Sequence, residues 1–398
     1  MTGRPPAKAS RPLGRLLLAA AMSCALATLA ACSVPKPAFL QHKSPPAGPA
    51  SGGGNPADGS NPVLTVSHPW HPGMRELGIQ VYWVVDNHDS ETVTLAKARR
   101  IVNYAIGLGA NSIAVTFPFY TSGITADTVF RDAAKTPSPA RISIFLAVAA
   151  QAHLRVTLRP ILNEESLIAE DPIAWRGSIQ PSSVSTWFLS YRRLLLPYAR
   201  AAQAGHAATF VIGTELESLE RAPEWAAVIR SIKSVYTGQL LYAENFDEFA
   251  KHDKHLPLAT IGIDAYPRFN LPDSTSVDRL TAAWDRWLGT HRKAALRKVV
   301  LEEVGIDAVA DSYPDPGAWI STTDAPIVLP VQTKWYEAVC RAVADEDLAG
   351  VYWWEIPFDA NPATPRLWDA DRLTFLGRPA QGVIKSCFAT LAAGNTGT

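Results

Sequence analysis

Short apolar runs alternate with longer amphipathic stretches from residue 79 to residue 393. The runs have the length and β-branched content of buried strands, and the stretches between them have helical periodicity. The predicted strands are Ile79–Val84, Ser112–Phe119, Arg155–Leu162, Thr209–Leu216, Gln239–Ala243, Ala259–Tyr266, Lys298–Ile306 and Gly350–Ile356. The predicted helices are Thr92–Leu108, Ala140–Ala152, Val184–Ala204, Trp225–Val235, Val277–Leu296, Val331–Ala344 and Pro379–Ala393. No long helix is predicted between the fifth and sixth strands.

The number and order of these elements predict the fold. Apolar strands that alternate with helices belong to α/β architectures, in which helices cover both faces of a parallel sheet. Eight βα units over about 320 residues match the size of a (β/α)8, or TIM, barrel. The alternative is an open doubly wound sheet, which usually carries a glycine-rich turn after its first strand, and no such turn follows Ile79–Val84. We therefore predict a single barrel domain at residues 74–393.

The first 32 residues have the layout of a secretory signal. Basic residues precede an apolar run from Leu16 to Ala31, and the run ends in Leu29-Ala30-Ala31-Cys32. This ending resembles the bacterial lipobox, in which the cysteine is lipidated. The alternatives are an ordinary cleavable signal with a chance cysteine and an uncleaved anchor. The sequence thus predicts an exported cell-envelope lipoprotein that is held to the membrane through Cys32.

Residues 33–73 are rich in proline, glycine and serine, which is typical of a flexible linker between an anchor and a domain. The rest of the composition is that of a folded protein, with 47% hydrophobic and 19% charged residues. Lysine plus arginine and aspartate plus glutamate each number 37, and no basic block follows the N-terminus. This balance gives no electrostatic support for a nucleic-acid partner. Nothing in the sequence indicates the oligomeric state.

Two cysteines, Cys340 and Cys387, remain once the signal is set aside, and each lies on a predicted helix. They either pair in an oxidising compartment or are buried free thiols. Their spacing does not match a metal site, and the chain has no HExxH, paired CxxC or P-loop motif. We therefore predict no metal and no cofactor.

Glutamates follow two of the apolar strands. The fourth strand ends in Gly213-Thr214-Glu215, and the seventh ends in Glu302-Glu303. In a barrel, catalytic groups lie at the carboxyl ends of the strands, so these side chains are expected at the mouth. Alternation along a strand allows only one of Glu302 and Glu303 to point into that mouth. A single acid at such a position often caps a helix or pairs with arginine, but two carboxylates suit cleavage of a glycosidic bond.

These motifs resemble a clan of retaining glycoside hydrolases, and within it glycoside hydrolase family 113, which includes β-mannanases. The resemblance covers residue 74 to about residue 390. It rests on Phe210-Val211-Ile212-Gly213-Thr214-Glu215-Leu216, Val300-Leu301-Glu302-Glu303-Val304-Gly305, Trp175-Arg176-Gly177-Ser178-Ile179, Ile261-Gly262-Ile263-Asp264-Ala265-Tyr266 and Val351-Tyr352-Trp353-Trp354. It implies that Glu215 is the acid/base and Glu303 the nucleophile. One departure is Thr214, since many clan members have asparagine directly before the acid/base.

Further residues are candidates for binding the substrate. Arg159 is expected to hold the nucleophile ionised, and the resemblance implies that Tyr266 contacts it; a structural ion pair and a packed tyrosine are the alternatives. Trp83 and Trp354 are candidate apolar faces for a sugar ring, with core packing as the alternative. The remaining candidates are Trp175 and Arg176, in the loop after the third strand, and Thr214, directly before Glu215. We interpret Glu164 and Glu165, in the loop after the third strand, as solvated.

The leading functional hypothesis is a retaining hydrolase that cleaves a β-linked glycan, with β-mannan slightly favoured. Glu303 would attack the anomeric carbon, and Glu215 would protonate the departing oxygen and then activate water. Two alternatives remain open. One is a non-catalytic carbohydrate-binding lipoprotein on the same barrel, because a fold does not determine function. The other is a transglycosylase that uses the same two glutamates.

Overall fold

A computed structural model describes residues 62–84, 88–251, 256–318, 325–365 and 372–394. Nine strands are present in this part of the chain: β1 (Glu76–Tyr82), β2 (Ser112–Thr121), β3 (Val129–Phe130), β4 (Arg155–Leu162), β5 (Thr209–Thr214), β6 (Gln239–Asn245), β7 (Ile261–Asp264), β8 (Val299–Val304) and β9 (Gly350–Pro357). The helices are α1 (Glu91–Leu108), α2 (Pro139–Gln151), α3 (Glu165–Glu170), α4 (Val184–Ala204), α5 (Trp225–Lys233), α6 (Phe246–Ala250), α7 (Val277–Leu288), α8 (Lys293–Leu296), α9 (Leu329–Asp345) and α10 (Pro379–Ala393).

Eight parallel strands close into a barrel, and this confirms the predicted fold. Strand β1 pairs with β2 on one side and with β9 on the other, and the remaining barrel strands follow in chain order between them. The short strand β3 is the exception, because it pairs antiparallel with the end of β2. All eight predicted strands are present. The predicted helix Val277–Leu296 is divided into α7 and α8, with Gly289 as the residue that ends α7.

Serine side chains define the start of four helices. Ser90, Ser138, Ser183 and Ser276 each accept a hydrogen bond from the backbone N–H three residues later, at the first turns of α1, α2, α4 and α7. Such a cap satisfies a donor that the first turn of a helix leaves free. These helices therefore begin directly after the loops that leave the carboxyl ends of the preceding strands.

The lower barrel interior is polar as well as packed. The Tyr352 hydroxyl donates to Glu76 at 2.6 Å, and Arg155 forms an ion pair with the same carboxylate at 3.0 Å. The Tyr352 ring fits because residue 78 is glycine; a Cβ there would lie 2.1 Å from the ring. These contacts join β1, β4 and β9 across the barrel, below the level at which the strands end.

The N-terminal regions predicted from sequence are described only in their last part. The signal, Cys32 and the linker up to residue 61 lie outside the described residues. Residues 62–73, which belong to the predicted linker, pack on the barrel: Val66 N–H donates to the Ala152 carbonyl, and the Arg155 guanidinium lies 4.0 Å from the centre of the Trp70 ring. Apolar side chains in this segment explain why it packs. No described helix has the length and apolar character needed to cross a membrane.

A disulfide joins Cys340 on α9 to Cys387 on α10, which resolves the alternative left open by the sequence. The two cysteines are 47 residues apart along the chain. A bond across this separation restricts the unfolded chain, which by the loop-closure relation stabilises the fold by roughly 4 kcal/mol.

Removal of this disulfide should lower thermal stability without changing the fold. We expect the Cys340→Ser, Cys387→Ser double variant to melt roughly 5 °C below the wild type in differential scanning calorimetry. Excess reductant should lower the melting temperature of the wild type toward that of the variant and leave the variant unchanged. Equal melting temperatures for both proteins under oxidising conditions would contradict a bond in the folded protein.

Candidate active site

A buried arginine joins three strands at the mouth of the barrel. Arg159 on β4 has no exposed surface, and its guanidinium donates to Asp264 at 2.6 Å and to Glu303 on β8. The Tyr266 hydroxyl, just beyond β7, donates to the other oxygen of Glu303 at 2.8 Å. Glu303 thus accepts hydrogen bonds from a guanidinium and a phenol, which hold its carboxylate in one orientation.

Glu303 reaches the mouth because β8 is irregular. Asp264 pairs with Glu303, whereas Ile263 pairs with Leu301, so Glu302 is an extra residue in β8 at this point. A bulge of this kind breaks the strict alternation of side chains. The Glu302 carboxyl group also lies inside the barrel, where burial and then neighbouring Glu76 raise its pKa to about 8. Of the two neighbouring glutamates, Glu303 is the one that contacts Arg159 and Tyr266 at the mouth.

Glu215 lies directly after β5 in a left-handed backbone conformation, with φ of 50°. This region disfavours residues with a side chain and is enriched at functional sites. The Glu215 N–H donates to the Ala243 carbonyl on β6 at 2.9 Å, which holds the turned backbone against the barrel. The turn sets the direction of the Glu215 carboxyl group as the chain leaves the strand.

A second arginine contacts Glu215. Arg176, in a short 3₁₀ turn after α3, donates to Glu215 at 2.5 Å and also forms an ion pair with Glu164 at 3.2 Å. Its Nε donates to the Leu162 carbonyl at the end of β4 at 3.0 Å. Arg176 is therefore tied to the end of β4 while it contacts a carboxylate that follows β5.

The electrostatic surroundings of Glu215 favour its protonated form more than water would. Burial has the largest effect and raises the pKa to about 7, and the negative charges of Glu303 and Glu164 act in the same direction. Arg176 and, less strongly, Arg159 oppose them. A carboxyl group with a pKa near neutrality can donate a proton and later accept one, as general acid and base catalysis requires.

Aromatic side chains lie near Arg159. The Trp354 ring on β9 lies 6.0 Å from the Arg159 guanidinium and 5.5 Å from the Tyr82 ring. The neighbouring Trp353 points outward and stacks on Tyr336 of α9, at 4.7 Å between ring centres. The structure thus places Trp354, and not Trp353, beside the site. The peptide bond after Trp354 is cis.

The three remaining candidates for substrate binding are Trp83, Trp175 and Thr214. Trp83 is 3% exposed and stacks on Phe358 in the hydrophobic core, which matches the packing alternative, and its role in substrate binding stays a prediction. Trp175 is half-buried, and its ring lies against Gly177. The Thr214 side chain is buried at the end of β5, and its hydroxyl has no hydrogen-bond partner among the described residues.

Sequence reasoning did not assign roles to two residues that the structure brings to the site. Asp264 shares Arg159 with Glu303, and Glu164 shares Arg176 with Glu215. Asp264 lies at the carboxyl end of an apolar strand, close to where Glu215 and Glu303 lie on theirs, and that position was its available signal. Glu164 was interpreted as solvated because the sequence does not show that Arg176, twelve residues later, folds back onto it.

A group of carboxylates near this face has oxygens close enough to hold a metal ion. Within the described part of the chain, Glu217, Asp247 and Glu248 have oxygens within 4.8 Å of one another. The Lys251 ammonium contacts Glu248 and lies 3.8 Å from both Glu217 and Asp247. Lys251 therefore offsets one of the three negative charges of this group.

Loss of Arg159 should destabilise the protein strongly, because it would leave two buried carboxylates without their counterion. We expect Arg159→Met to lower the free energy of unfolding by about 3–5 kcal/mol in urea denaturation. Arg268→Met is a matched control, since the pair between Arg268 and Asp315 is mostly exposed and its loss should cost less than about 1 kcal/mol. Similar losses in the two variants would show that the Arg159 contacts do not stabilise the barrel.

Comparison with known proteins places this site in context. A sequence model of Glycoside Hydrolase Family 113 matches residues 87–369, well over half of the chain. No curated protein sequence matches. One similar solved structure is a family 113 β-1,4-mannanase in a complex, at 18% identity and a TM-score of 0.65, covering 80% of this chain and 99% of that one.

Two further structures share the fold. The family 113 β-mannanase AaManA from Alicyclobacillus acidocaldarius, in complex with ManMIm, has 20% identity and a TM-score of 0.65, covering 80% of this chain and 98% of that chain. A family 5 mannosidase from Rhizomucor miehei has 9% identity and a TM-score of 0.51, with coverages of 81% and 94%. Because the family model spans most of the chain and the barrel agrees with it, this protein belongs to glycoside hydrolase family 113 and is an enzyme that acts on O-glycosyl bonds.

Proposed function

We propose that the enzyme is a retaining β-mannan hydrolase in which Glu303 is the nucleophile and Glu215 the acid/base. One observation carries the proposal: each glutamate follows or ends a barrel strand at the mouth, and each contacts its own arginine. The pKa of Glu215, about 7, suits a group that must give and take a proton. Glu303 is held by Arg159 and Tyr266, as an attacking group must be.

The reaction would proceed in two displacements. In the first, a Glu303 oxygen attacks the anomeric carbon, and the proton on Glu215 passes to the departing glycosidic oxygen. This attack joins Glu303 to the sugar as an ester and so removes the negative charge of Glu303. That charge is one of the influences that raise the Glu215 pKa. Glu215 thereby becomes a better base for the second step, in which it takes a proton from the water that cleaves the ester.

β-Mannan is the favoured substrate because the family 113 structures described above are named β-mannanases. The Trp354 ring beside Arg159 is suited to lie against a sugar face. The buried hydroxyl of Thr214, directly before Glu215, is a candidate donor to a sugar hydroxyl. Its reach is shorter than that of asparagine, so contacts at this point should differ from those in clan members with asparagine.

Product analysis with matched variants tests the proposal. The protein is incubated with mannan, xylan, mixed-linkage glucan and cellulose oligosaccharides, and NMR follows the anomer released first. We expect mannan fragments with a β-anomeric end, and a loss of roughly 10³-fold or more in kcat/KM for Glu303→Gln. Glu217→Gln, which changes a more exposed glutamate just beyond Glu215, should retain the wild-type rate.

The alternatives give different results in the same experiment. A carbohydrate-binding protein would release no product and would bind glycans equally well with glutamine at position 303. A transglycosylase would yield oligosaccharides longer than the substrate. An α-anomeric first product would exclude retention, and cleavage of only another glycan would replace β-mannan with that sugar.

We also propose that the enzyme is an exported lipoprotein anchored through Cys32. The disulfide between Cys340 and Cys387 supports export, since such bonds persist in oxidising compartments. Residues 33–61 provide a segment of linker composition between the anchor and the packed residues.

Lipid attachment can be measured directly in a bacterial host. We expect a clickable fatty-acid analogue to label the wild-type protein, and the protein to sediment with membranes. Cys32→Ser should abolish both signals, whereas Cys24→Ser, within the apolar run of the signal, should change neither. Labelling that survives in Cys32→Ser would refute the anchor.

A further inference from the structure

We propose that Glu164 is a positioning residue, which holds Arg176 between two carboxylates so that Glu215 shares the guanidinium and remains able to act as an acid. The inference rests on the proposed role of Glu215. It goes beyond that role because Glu164 acts on Glu215 through Arg176, which both glutamates contact.

The contacts of Arg176 show how Glu164 could do this. Glu164 Oε1 accepts from the Arg176 backbone N–H at 3.1 Å and forms an ion pair with its Nη2 at 3.2 Å. The Leu162 carbonyl accepts from Nε at 3.0 Å, which leaves Nη1 directed at Glu215. A planar guanidinium presents its donors in a rigid fork, so contacts on one side determine where the other side points. The contact with Leu162 at the end of β4 thus directs the Arg176 guanidinium toward Glu215, the proposed acid/base.

The three side chains are shielded enough for their charges to interact strongly. The side chains of Glu164, Arg176 and Glu215 are 19%, 14% and 9% exposed. If Arg176 faced Glu215 alone, one full positive charge would favour the ionised carboxylate, which cannot donate a proton. Glu164 neutralises part of that charge.

The charged groups that act on Glu215 come from several elements. They are Arg176 and Glu164 beyond β4, Arg159 within β4, Asp264 at the end of β7 and Glu303 on β8. After burial, Arg176 is the strongest influence and lowers the Glu215 pKa, whereas Glu303 and Glu164 raise it. Removal of the Glu164 charge should therefore lower that pKa, and Arg176 should remain in place if an acceptor remains at position 164.

Glu164→Gln makes this change, because glutamine keeps a carbonyl acceptor and loses the charge. The acid must be protonated in the first step, so kcat/KM falls as the pH rises through its pKa. We expect the alkaline limb of kcat/KM to move about one pH unit lower, with roughly a tenfold loss at pH 8 that is recovered at lower pH. The substrate is an aryl β-mannoside with a poor leaving group.

A second substrate separates acid catalysis from a general structural defect. A dinitrophenyl β-mannoside has a leaving group that needs no proton, so its kcat/KM should be nearly unchanged in Glu164→Gln. Glu165→Gln is the matched control: it makes the same change one residue later, where the side chain is 55% exposed and pairs with Lys135, and both profiles should equal the wild type. A uniform loss at every pH and for both substrates, or an unshifted profile, would overturn the positioning role.

A measurement without turnover distinguishes failure of this inference from failure of the proposed function. The carboxyl ¹³C signal of Glu215, identified by its loss in Glu215→Gln, can be titrated in the whole protein with and without Glu164→Gln. A titration midpoint that moves lower supports the role of Glu164 even if no β-mannoside is cleaved. An unmoved midpoint refutes it even if the wild type is an active mannanase.

Discussion

The site depends on Arg159, whose guanidinium is fully buried inside the barrel. A charge in this position is tolerated only when counterions and hydrogen bonds surround it. Asp264 and Glu303 supply both, and they come from β7 and β8 while Arg159 comes from β4. The arginine therefore joins the two sides of the mouth, and the same contacts that make its burial possible orient the glutamate proposed as nucleophile.

Arg176 repeats this arrangement on the other glutamate. Each arginine is shared between one carboxylate proposed to react and one that supports it: Glu303 with Asp264, and Glu215 with Glu164. The surroundings differ in a way that suits the two proposed roles. Arg159 is fully buried, whereas Arg176 lies in a loop turn with part of its surface exposed. The first is suited to hold a fixed charge, and the second lies beside a carboxyl group that must change its charge during the reaction.

Local departures from regular structure place these side chains. The extra residue at Glu302 brings Glu303 to the mouth, and the left-handed backbone at Glu215 turns its side chain as β5 ends. Both departures lie at the carboxyl ends of strands, where the hydrogen-bond ladders stop and loops begin. Below them, Gly78 of β1 pairs with Tyr352 of β9, and the absence of a side chain at Gly78 makes room for the Tyr352 ring.

The sequence by itself determined the barrel, because strand and helix periodicities are local patterns. It also determined that Glu215 and Glu303 lie at the mouth, because a carboxylate after an apolar strand must emerge where the strand ends. It could not decide between core and site for Trp83, whose stacking partner Phe358 is distant in the chain. It also did not show that Glu164 pairs with Arg176, because that arginine folds back across a loop. Which carboxylate shares which arginine, and which cysteines meet, depend on distances between elements, and only the closed barrel sets those distances.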